Sequence, residues 1–511
     1  MISVASFEFF AFAIVAVIAF RVLPGTWRVL LVFPLTNITF LWLAIGDFRA
    51  LIYLLVFLGL AYLGICLAYL RNRWILISVL AVVLFVFCFL KSYQILSFLP
   101  YSHNLPVIIG LSYIVIRSLQ IMIDLFEGSL DYLPGPWSFV NFVCAWPMLL
   151  SGPIQSYQDF TCQIRMMTND RLDQDNLQYA FTRIVWGVFS IIVLADIAEV
   201  AHTYFREIAI GMHSPSLEQL FNIDFKTNSF SHIIHERGLH FILLLIKSFL
   251  LGSHLMSPLA LGLSAFFYLV FLYFNFAGYT DVMIGVGRLC GLQLPENFNR
   301  PWSSKSFLEL WSRWHMTLAN WFKTYVFNPV VRTLTTRWPI PARIPYYGVA
   351  AFFLTFFLVG IWHGPTTSFV LCGIALGLGA SVNKLWQLKS RAILGKTLHL
   401  RLTSHPIYQT FCSAVTMSFL AMSIVPFWCV THDIIKLNLV FGIWGQFLAF
   451  LTVTLACLPI SVVSLHLLDQ KTSEMGLKKS KSFQTGALLA AVFIYSFIYP
   501  PVDLHFVYQA F

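Results

Sequence analysis

The chain has 511 residues, 59% of them hydrophobic and only 11% charged, with 50 Phe and a formal net charge of +10. A soluble domain carries roughly 25% charged residues, so too little charge is present to keep a soluble surface wet, and that class is excluded. Apolar windows of the ~20 residues needed to cross a bilayer recur along the chain, which defines an all-α polytopic membrane protein.

In chain order, spans are predicted near residues 4–21, 29–45, 50–70, 74–92, 105–123, 137–151, 180–200, 238–254, 258–277, 346–362, 366–383, 408–426, 437–457 and 484–500. The total is roughly 11 to 14, because some of these segments would be tilted or re-entrant rather than spanning. The first is read as a retained span and not a signal peptide: it lacks a basic leader, carries Glu8, and has Arg21 after its apolar run. Arg21 and Arg28 flank the first connection, and Arg71 with Arg73 form the third. By the positive-inside bias both would be cytoplasmic, which puts the N-terminus outside. The basic loops Lys384–Arg401 and Lys471–Lys481 would share that side, whereas Arg49 and Lys91 fall on the other. The excess of 32 Lys plus Arg over 22 Asp plus Glu is accounted for by these loops and by anionic lipid, with no nucleic-acid partner. Nine scattered cysteines form no CxxC pair and lie mostly in apolar runs, as small buried hydrophobes do.

Two stretches break the run of apolar helices. Residues 203–240 form a hydrophilic loop with His213, His232, His235 and His240. Its "HIIHERGLH" is neither HExxH nor HxxEH, and a wet loop is expected there instead of a metal site. The second is the block 278–365. It opens with "GYTDVMIGVGRLCGLQLPENFNRPW", where Asp281 is costly at membrane depth, about 2.5–3.5 kcal/mol on insertion scales, and therefore a functional candidate. "LPENFNRPW" reads as irregular backbone, tolerable at that depth only if buried in protein or lining a cavity.

Further on, "LELWSRWHMTLANWFKTYVFNP" is predicted to be one amphipathic helix. Trp311, Trp314, His315, Leu318, Phe322 and Tyr325 would share one face, and Arg313, Thr317, Asn320 and Thr324 the other. Its charges place it in or at the edge of the membrane rather than across it. Some 48 residues past His315, His363 ends an apolar segment at Gly364-Pro365. One histidine on an apolar face is most often a core residue donating to a carbonyl. Two, each beside a Trp and each at an irregular point of a membrane segment, point to chemistry. Desolvation keeps an imidazole neutral and able to take a proton near pH 7. A base in a water-poor tunnel suits acyl transfer, because it can deprotonate a hydroxyl while water is kept away. No GxSxG elbow is present, so an acyl-serine intermediate within this chain is not expected.

The blocks "GYTDVMIGVGRLCGLQLPENFNRPW", "WSRWHMTLANWFKTYVFNP" and "GIWHGPTTSFVLCG", in that order and spacing, resemble the membrane-bound O-acyltransferase family. Within it the likeness is to the bacterial branch of the membrane subunits of alginate O-acetylation and teichoic-acid D-alanylation. It extends upstream through residues 105–160 and covers roughly 1–385. The resemblance implies a core of residues 1–385, carrying the blocks 105–160 and 278–373, with 386–511 adding a basic loop and further helices. It implies a ring of helices around a thinned centre with a tunnel. It also implies transfer of an acyl group, acetyl in the simplest case, from a cytoplasmic acyl-CoA or acyl-carrier-protein thioester to a hydroxyl on an extracytoplasmic glycan or partner protein. The site would be in the inner (plasma) membrane and use no metal or tightly bound cofactor. His363 matches the family's WHG histidine and is expected to be the base; His315 matches the RWH histidine and would polarise the acyl carbonyl. Asp281, Asn297, Asn299 and Arg300 match shared elements, and with Trp311, Arg313, Trp314 and Trp362 would shape the tunnel. Ser312 and Lys323-Thr324, where the family pattern has Arg and Arg-Asp, and Arg117 and Glu127 depart from it, which bears on the acceptor and the partner. The competing readings are a transporter or flippase with a histidine proton relay, and an inactive scaffold.

Overall fold

A computed structural model describes residues 6–99, 105–168, 173–210, 256–429 and 431–467, with a few positions from 488 to 495. The predicted span 238–254, the four histidines between 213 and 240, the loop Lys471–Lys481 and nearly all of the span 484–500 lie outside the described residues. Among those described, nine helices are long and apolar enough to cross a membrane, and the chain is all-α as expected.

The N-terminal part begins with α1 (Phe7–Val22), whose first turn is capped by the Ser6 hydroxyl accepting from Phe9 N–H at 3.2 Å. The next helices are α2 (Gly25–Ile45) and α3 (Phe48–Ala68), then α4 (Arg73–Leu90). Gly46 ends α2 at φ 65°, a left-handed cap for which glycine carries no Cβ penalty. Asn72 starts α4, its side-chain oxygen accepting from the Trp74 and Ile75 amides. The outward faces of these helices carry bare apolar side chains such as Phe48, Leu55 and Trp74; in a bilayer such a face meets lipid.

The following segment departs from the prediction of two spans at 105–123 and 137–151. Helix α5 begins only at Leu111 and runs to Glu127. The second span is broken into α6 (Pro136–Val143) and α7 (Trp146–Leu149), neither long enough to cross. The break survives because its loose backbone groups are satisfied from within the protein. Arg117 on α5 is fully buried and donates to the carbonyls of Phe142, Val143 and Met148. Asn37 on α2 accepts from Trp146 N–H at 3.0 Å and donates to Asn141. Trp146, fully buried, packs edge-on to Phe12 at 5.1 Å. Replacing Arg117 with Met would leave three buried carbonyls unpaired, at about 1–3 kcal/mol each. The expected result is a protein that inserts but melts several degrees earlier in detergent, measured by thermal scanning against Arg117→Lys.

After α8 (Tyr157–Met167), two predicted spans prove longer. Helix α9 (Gln174–Ile210) continues through a π-helical stretch at Ser190–Ala195. Helix α10 (Met256–Cys290) extends far enough to carry Asp281 inside it, not after it. The two pack backbone to backbone: a Cβ on Gly187 would lie 2.5 Å from the Gly278 carbonyl oxygen, the close approach that small residues permit in membranes. The rest of the chain holds α11 (Phe307–Leu310), α12 (Met316–Phe322), α13 (Asn328–Arg337), α14 (Ile344–His363), α15 (Thr367–Ser404), α16 (Pro406–Ser423) and α17 (Thr431–Val462). Helices α14 and α15 form a hairpin at Gly364-Pro365, where Gly360 faces Gly373 so closely that a Cβ would fall 2.2 Å from its Cα.

Cations gather at one end of the helices. Arg21 donates to the Arg288 and Leu289 carbonyls at the end of α10, and Arg28 to Met167 at the end of α8. Arg332 pairs with Glu127 at the end of α5, whose neighbour Gly128 sits beside Arg71. The opposite end holds the start of α5 and the Gly364-Pro365 turn, joined by the Trp362 indole donating to the Ser112 carbonyl.

Candidate active site

The predicted single helix over residues 308–329 does not form. After α11 the chain turns through residues 311–315, and His315 adopts φ 44° and ψ 49° immediately before α12. A left-handed conformation is uncommon for a residue with a side chain and persists only when its surroundings fix it. Here the fixing partner is the irregular "PENFNRP" segment. Met316 N–H donates to the Asn297 carbonyl at 2.9 Å, and Asn299 N–H to the Arg313 carbonyl at 2.8 Å. Two non-helical stretches therefore pair with each other inside the protein, which a helical periodicity cannot anticipate.

Asn297, with no exposed surface, is the centre of this pairing. Its side-chain oxygen lies 3.2 Å from Thr317 N, 2.9 Å from Thr317 Oγ1 and 3.1 Å from His315 Nδ1. A backbone N–H can only donate, so the atom facing Thr317 is the amide oxygen. It follows that His315 donates through Nδ1–H, which in the neutral ring leaves the lone pair on Nε2. Thr317, placed by the helical prediction on the polar side away from His315, thus meets the same Asn297 oxygen as the imidazole. Its hydroxyl also accepts from Ile154 N–H at 3.0 Å, tying in the loop before α8. The His315 ring stands edge-on to Phe276 of α10, 4.7 Å between centroids.

The Asn297 segment is anchored by charge. Arg183 of α9 bridges Asp281 at 2.5 Å and both carboxylate oxygens of Glu296, the residue before Asn297, at 2.9 and 2.8 Å. Asp281 is thus an anchor for the segment, where the sequence marked it as a lining residue. Arg313 pairs with Glu309 at 3.0 Å, and Asn299 and Arg300 are exposed. Of the residues expected to shape the tunnel, Asp281 and Arg313 thus take part in ion pairs, and Arg313 also donates to the Asn299 carbonyl. Trp314 packs on Phe298 and Tyr273, and Trp311 is stacked obliquely on Phe356 at 4.7 Å.

His363 ends α14, buried between Trp362 and Phe427, with ring centroids at 5.0 and 5.1 Å. Its turn is held by a segment that sequence reasoning passed over, the residues after α4. Gln94 N–H donates to the Pro365 carbonyl, its side-chain oxygen accepts from Thr367 N–H and hydroxyl, and Tyr93 OH donates to the Ile361 carbonyl. Polar residues directly after an apolar span were the available signal.

Two cavities adjoin this centre. One, of about 640 Å³, is lined by Gln120, Gln155, Gln163, Gln293, Thr317 and Asn320. It includes α8 and so opens toward the cationic end of the helices, while Thr317 brings its inner wall to within two residues of His315. The second, about 210 Å³, is apolar and lies between Trp311, Leu318, Phe352 and Phe356. Among the described residues no group of three or more His, Cys, Asp or Glu could hold a metal ion.

The described residues thus form an all-α polytopic membrane protein with two buried imidazoles at backbone breaks, His315 and His363, the first of them beside a polar cavity. Residues 228–425 match the model of the MBOAT, membrane-bound O-acyltransferase family, and the relatives that the chain resembles include teichoic acid D-alanyltransferases and probable alginate O-acetylases. It is 28% identical over 273 residues to the teichoic acid D-alanyltransferase of Bacillus subtilis (strain 168), covering 53% of this chain and 58% of that one. It is 25% identical over 317 residues to a probable alginate O-acetylase of Pseudomonas fluorescens, covering 61% and 51%. A teichoic acid D-alanyltransferase of Lacticaseibacillus rhamnosus is 26% identical over 334 residues, covering 64% and 73%. The chain thus spans little more than half the length of the first two of these relatives.

Proposed function

We propose that this protein is an O-acyltransferase of the cell inner (plasma) membrane. It moves a short acyl group, acetyl in the simplest case, from a cytoplasmic thioester to a hydroxyl on an extracytoplasmic glycan or partner protein. The observation that carries the reading is the presence of two buried histidines at backbone breaks, His315 and His363, with a cavity toward the cationic end whose wall reaches Thr317, two residues from His315. The positive-inside bias makes that end cytoplasmic and places the start of α1 outside. The donor, an acyl-CoA or acyl-carrier-protein thioester, would enter through the 640 Å³ cavity, whose carboxamide lining suits the amides of a pantetheine arm. The acceptor would approach from the His363 end.

In this scheme His363 takes the proton of the acceptor hydroxyl as its oxygen attacks the thioester carbonyl carbon. The C–O bond forms, the C–S bond breaks, and the thiolate leaves toward the donor cavity. In this reading the division of labour differs from the one that the resemblance implied, and the Asn297 bond supports the difference. With Nδ1–H committed to Asn297, neutral His315 offers a lone pair at Nε2 and has no N–H with which to polarise a carbonyl. It is suited to receive the proton from His363 and deliver it to the thiolate, so that thiol and ester are released with no net proton change. A general base at such a site contributes typically about 10²–10⁴-fold, and exclusion of water protects the thioester.

The test is an ester inventory. Cell envelopes with and without the protein are treated with mild base, and the released acids are identified by mass spectrometry. Loss of one acid, restored by the intact gene, is the expected outcome and names the acyl group. Identical inventories, with movement of a lipid-linked substrate altered instead, would replace this reading with a transporter.

A further inference from the structure

One face of α14 is shared between a histidine and a cavity wall. Phe352, Phe356, Val359 and His363 recur at i, i+4, i+7 and i+11, the spacing of a single helix face. The first three of them line the apolar cavity of about 210 Å³. Val359 precedes His363 by one turn, about 6 Å along the axis. On α12 the cavity is lined by Leu318, three residues after His315. Its mouth is polar, since Ser312, Asn320 and Lys323 line it and are exposed. Asn320 also lines the cavity of about 640 Å³, so the two spaces share that wall.

The interior offers little to a polar guest. The Thr355 hydroxyl donates to the Ala351 carbonyl and the Ser312 hydroxyl to the Glu309 carbonyl. None of the lining residues is acidic. The exception is the indole N–H of Trp311, which is buried on this wall without an acceptor among the described residues. A buried donor left unpaired is costly, and an apolar void forfeits the contacts of its lining. One kind of ligand removes both costs: a carbonyl oxygen followed by an alkyl chain. Size then selects among acyl groups. An apolar cavity of about 150 Å³ takes up benzene, so this one has room for a chain of about four to eight carbons. Acetyl would leave most of it empty, and an acyl group bearing an ammonium would be buried without a counter-charge.

Resting on the acyltransferase reading above, we propose that this cavity seats the transferred acyl group, and that the group is an aliphatic chain of about four to eight carbons, longer than acetyl. The carrier arm then occupies the larger cavity, and the chain passes the start of α12 to lie against Phe352, Phe356 and Val359.

The experiment measures binding by calorimetry to the full chain in nanodiscs, with empty nanodiscs as the blank. The probes are the ethyl, hexyl and dodecyl thioethers of phosphopantetheine, which share the arm of both carriers and cannot transfer an acyl group. Because a methylene in an apolar pocket is worth about tenfold or more, hexyl should bind at least about tenfold tighter than ethyl, with dodecyl weaker than hexyl. Ala319→Phe fills the cavity from α12 and should abolish the gain from ethyl to hexyl. Phe352→Ala enlarges it and should move the optimum toward dodecyl, so the pair stays informative if one variant fails to fold. Equal affinities, an optimum at ethyl, no binding of any thioether, or an unaltered series in Ala319→Phe overturns the proposal. In the ester inventory the missing acid should carry about four to eight carbons. Acetic acid or alanine there overturns this proposal and leaves the acyltransferase reading standing, whereas an inventory with no missing acid overturns that reading and this proposal with it.

Discussion

Cells carrying His363→Ala, at wild-type protein level and membrane insertion, are expected to lose the base-labile acyl ester that the intact protein installs. The effect should be the largest of any single substitution. If His363 takes the hydroxyl proton, its removal costs about 10²–10⁴-fold in the transfer step, enough to empty an envelope ester pool. The variant should still fold. His363 lies at the last position of α14, and the turn beyond it is held by Gln94 and Tyr93 through the Pro365 and Ile361 carbonyls, not through the imidazole. Acyl ester released by mild base, with membrane-extracted protein quantified in parallel, is the measurement. Unchanged ester with well-inserted protein would remove His363 as the base and favour a scaffold.

Asn297→Ala should come close behind, for a different reason. Asn297 touches neither donor nor acceptor in this scheme; it positions His315. Its oxygen meets three donors, and deleting it leaves the Thr317 amide, the Thr317 hydroxyl and His315 Nδ1 without that acceptor. Each buried group so stranded costs about 1–3 kcal/mol, and the ring is released to the other tautomer or to rotation. Loss of orientation and tautomer together should reduce transfer by about 10²-fold or more, by the same general acid–base magnitude, with a lowered melting temperature. Asn297→Asp, which keeps an oxygen where Thr317 and His315 need one, should retain far more activity than Asn297→Ala. Equal activity in the Ala variant and the wild type would mean that the left-handed turn at His315 holds itself.

The arrangement also joins the first two of the three sequence blocks directly. The irregular segment at 295–301 supplies hydrogen bonds to the irregular turn at 311–315, and Arg183 fastens the first to α9 and α10. The departures at Ser312 and Thr324 lie away from the Asn297–His315 pairing: Ser312 is exposed and bonds to the Glu309 carbonyl, and Thr324 is exposed at the cavity wall. Arg117, which also departs from the family pattern, is structural in this protein, holding α6 and α7 by their carbonyls.

Much of this was legible without coordinates. Low charge and recurrent apolar windows determine a helical membrane protein, because a bilayer core admits only backbones that satisfy their own hydrogen bonds. The order and spacing of three motifs marked both histidines and the irregular block between them. What only the tertiary structure decided lies where local pattern and long-range pairing disagree. The residues of 308–329 have a good helical period, yet the helix breaks at His315 because Asn297 and Asn299 offer its backbone bonds that a continuous helix could not accept. The span at 137–151 is apolar enough to cross, yet it folds as two short pieces because Arg117 and Asn37 supply the bonds its break requires. In each case the deciding partner is more than ten residues away in sequence, beyond the reach of any periodicity.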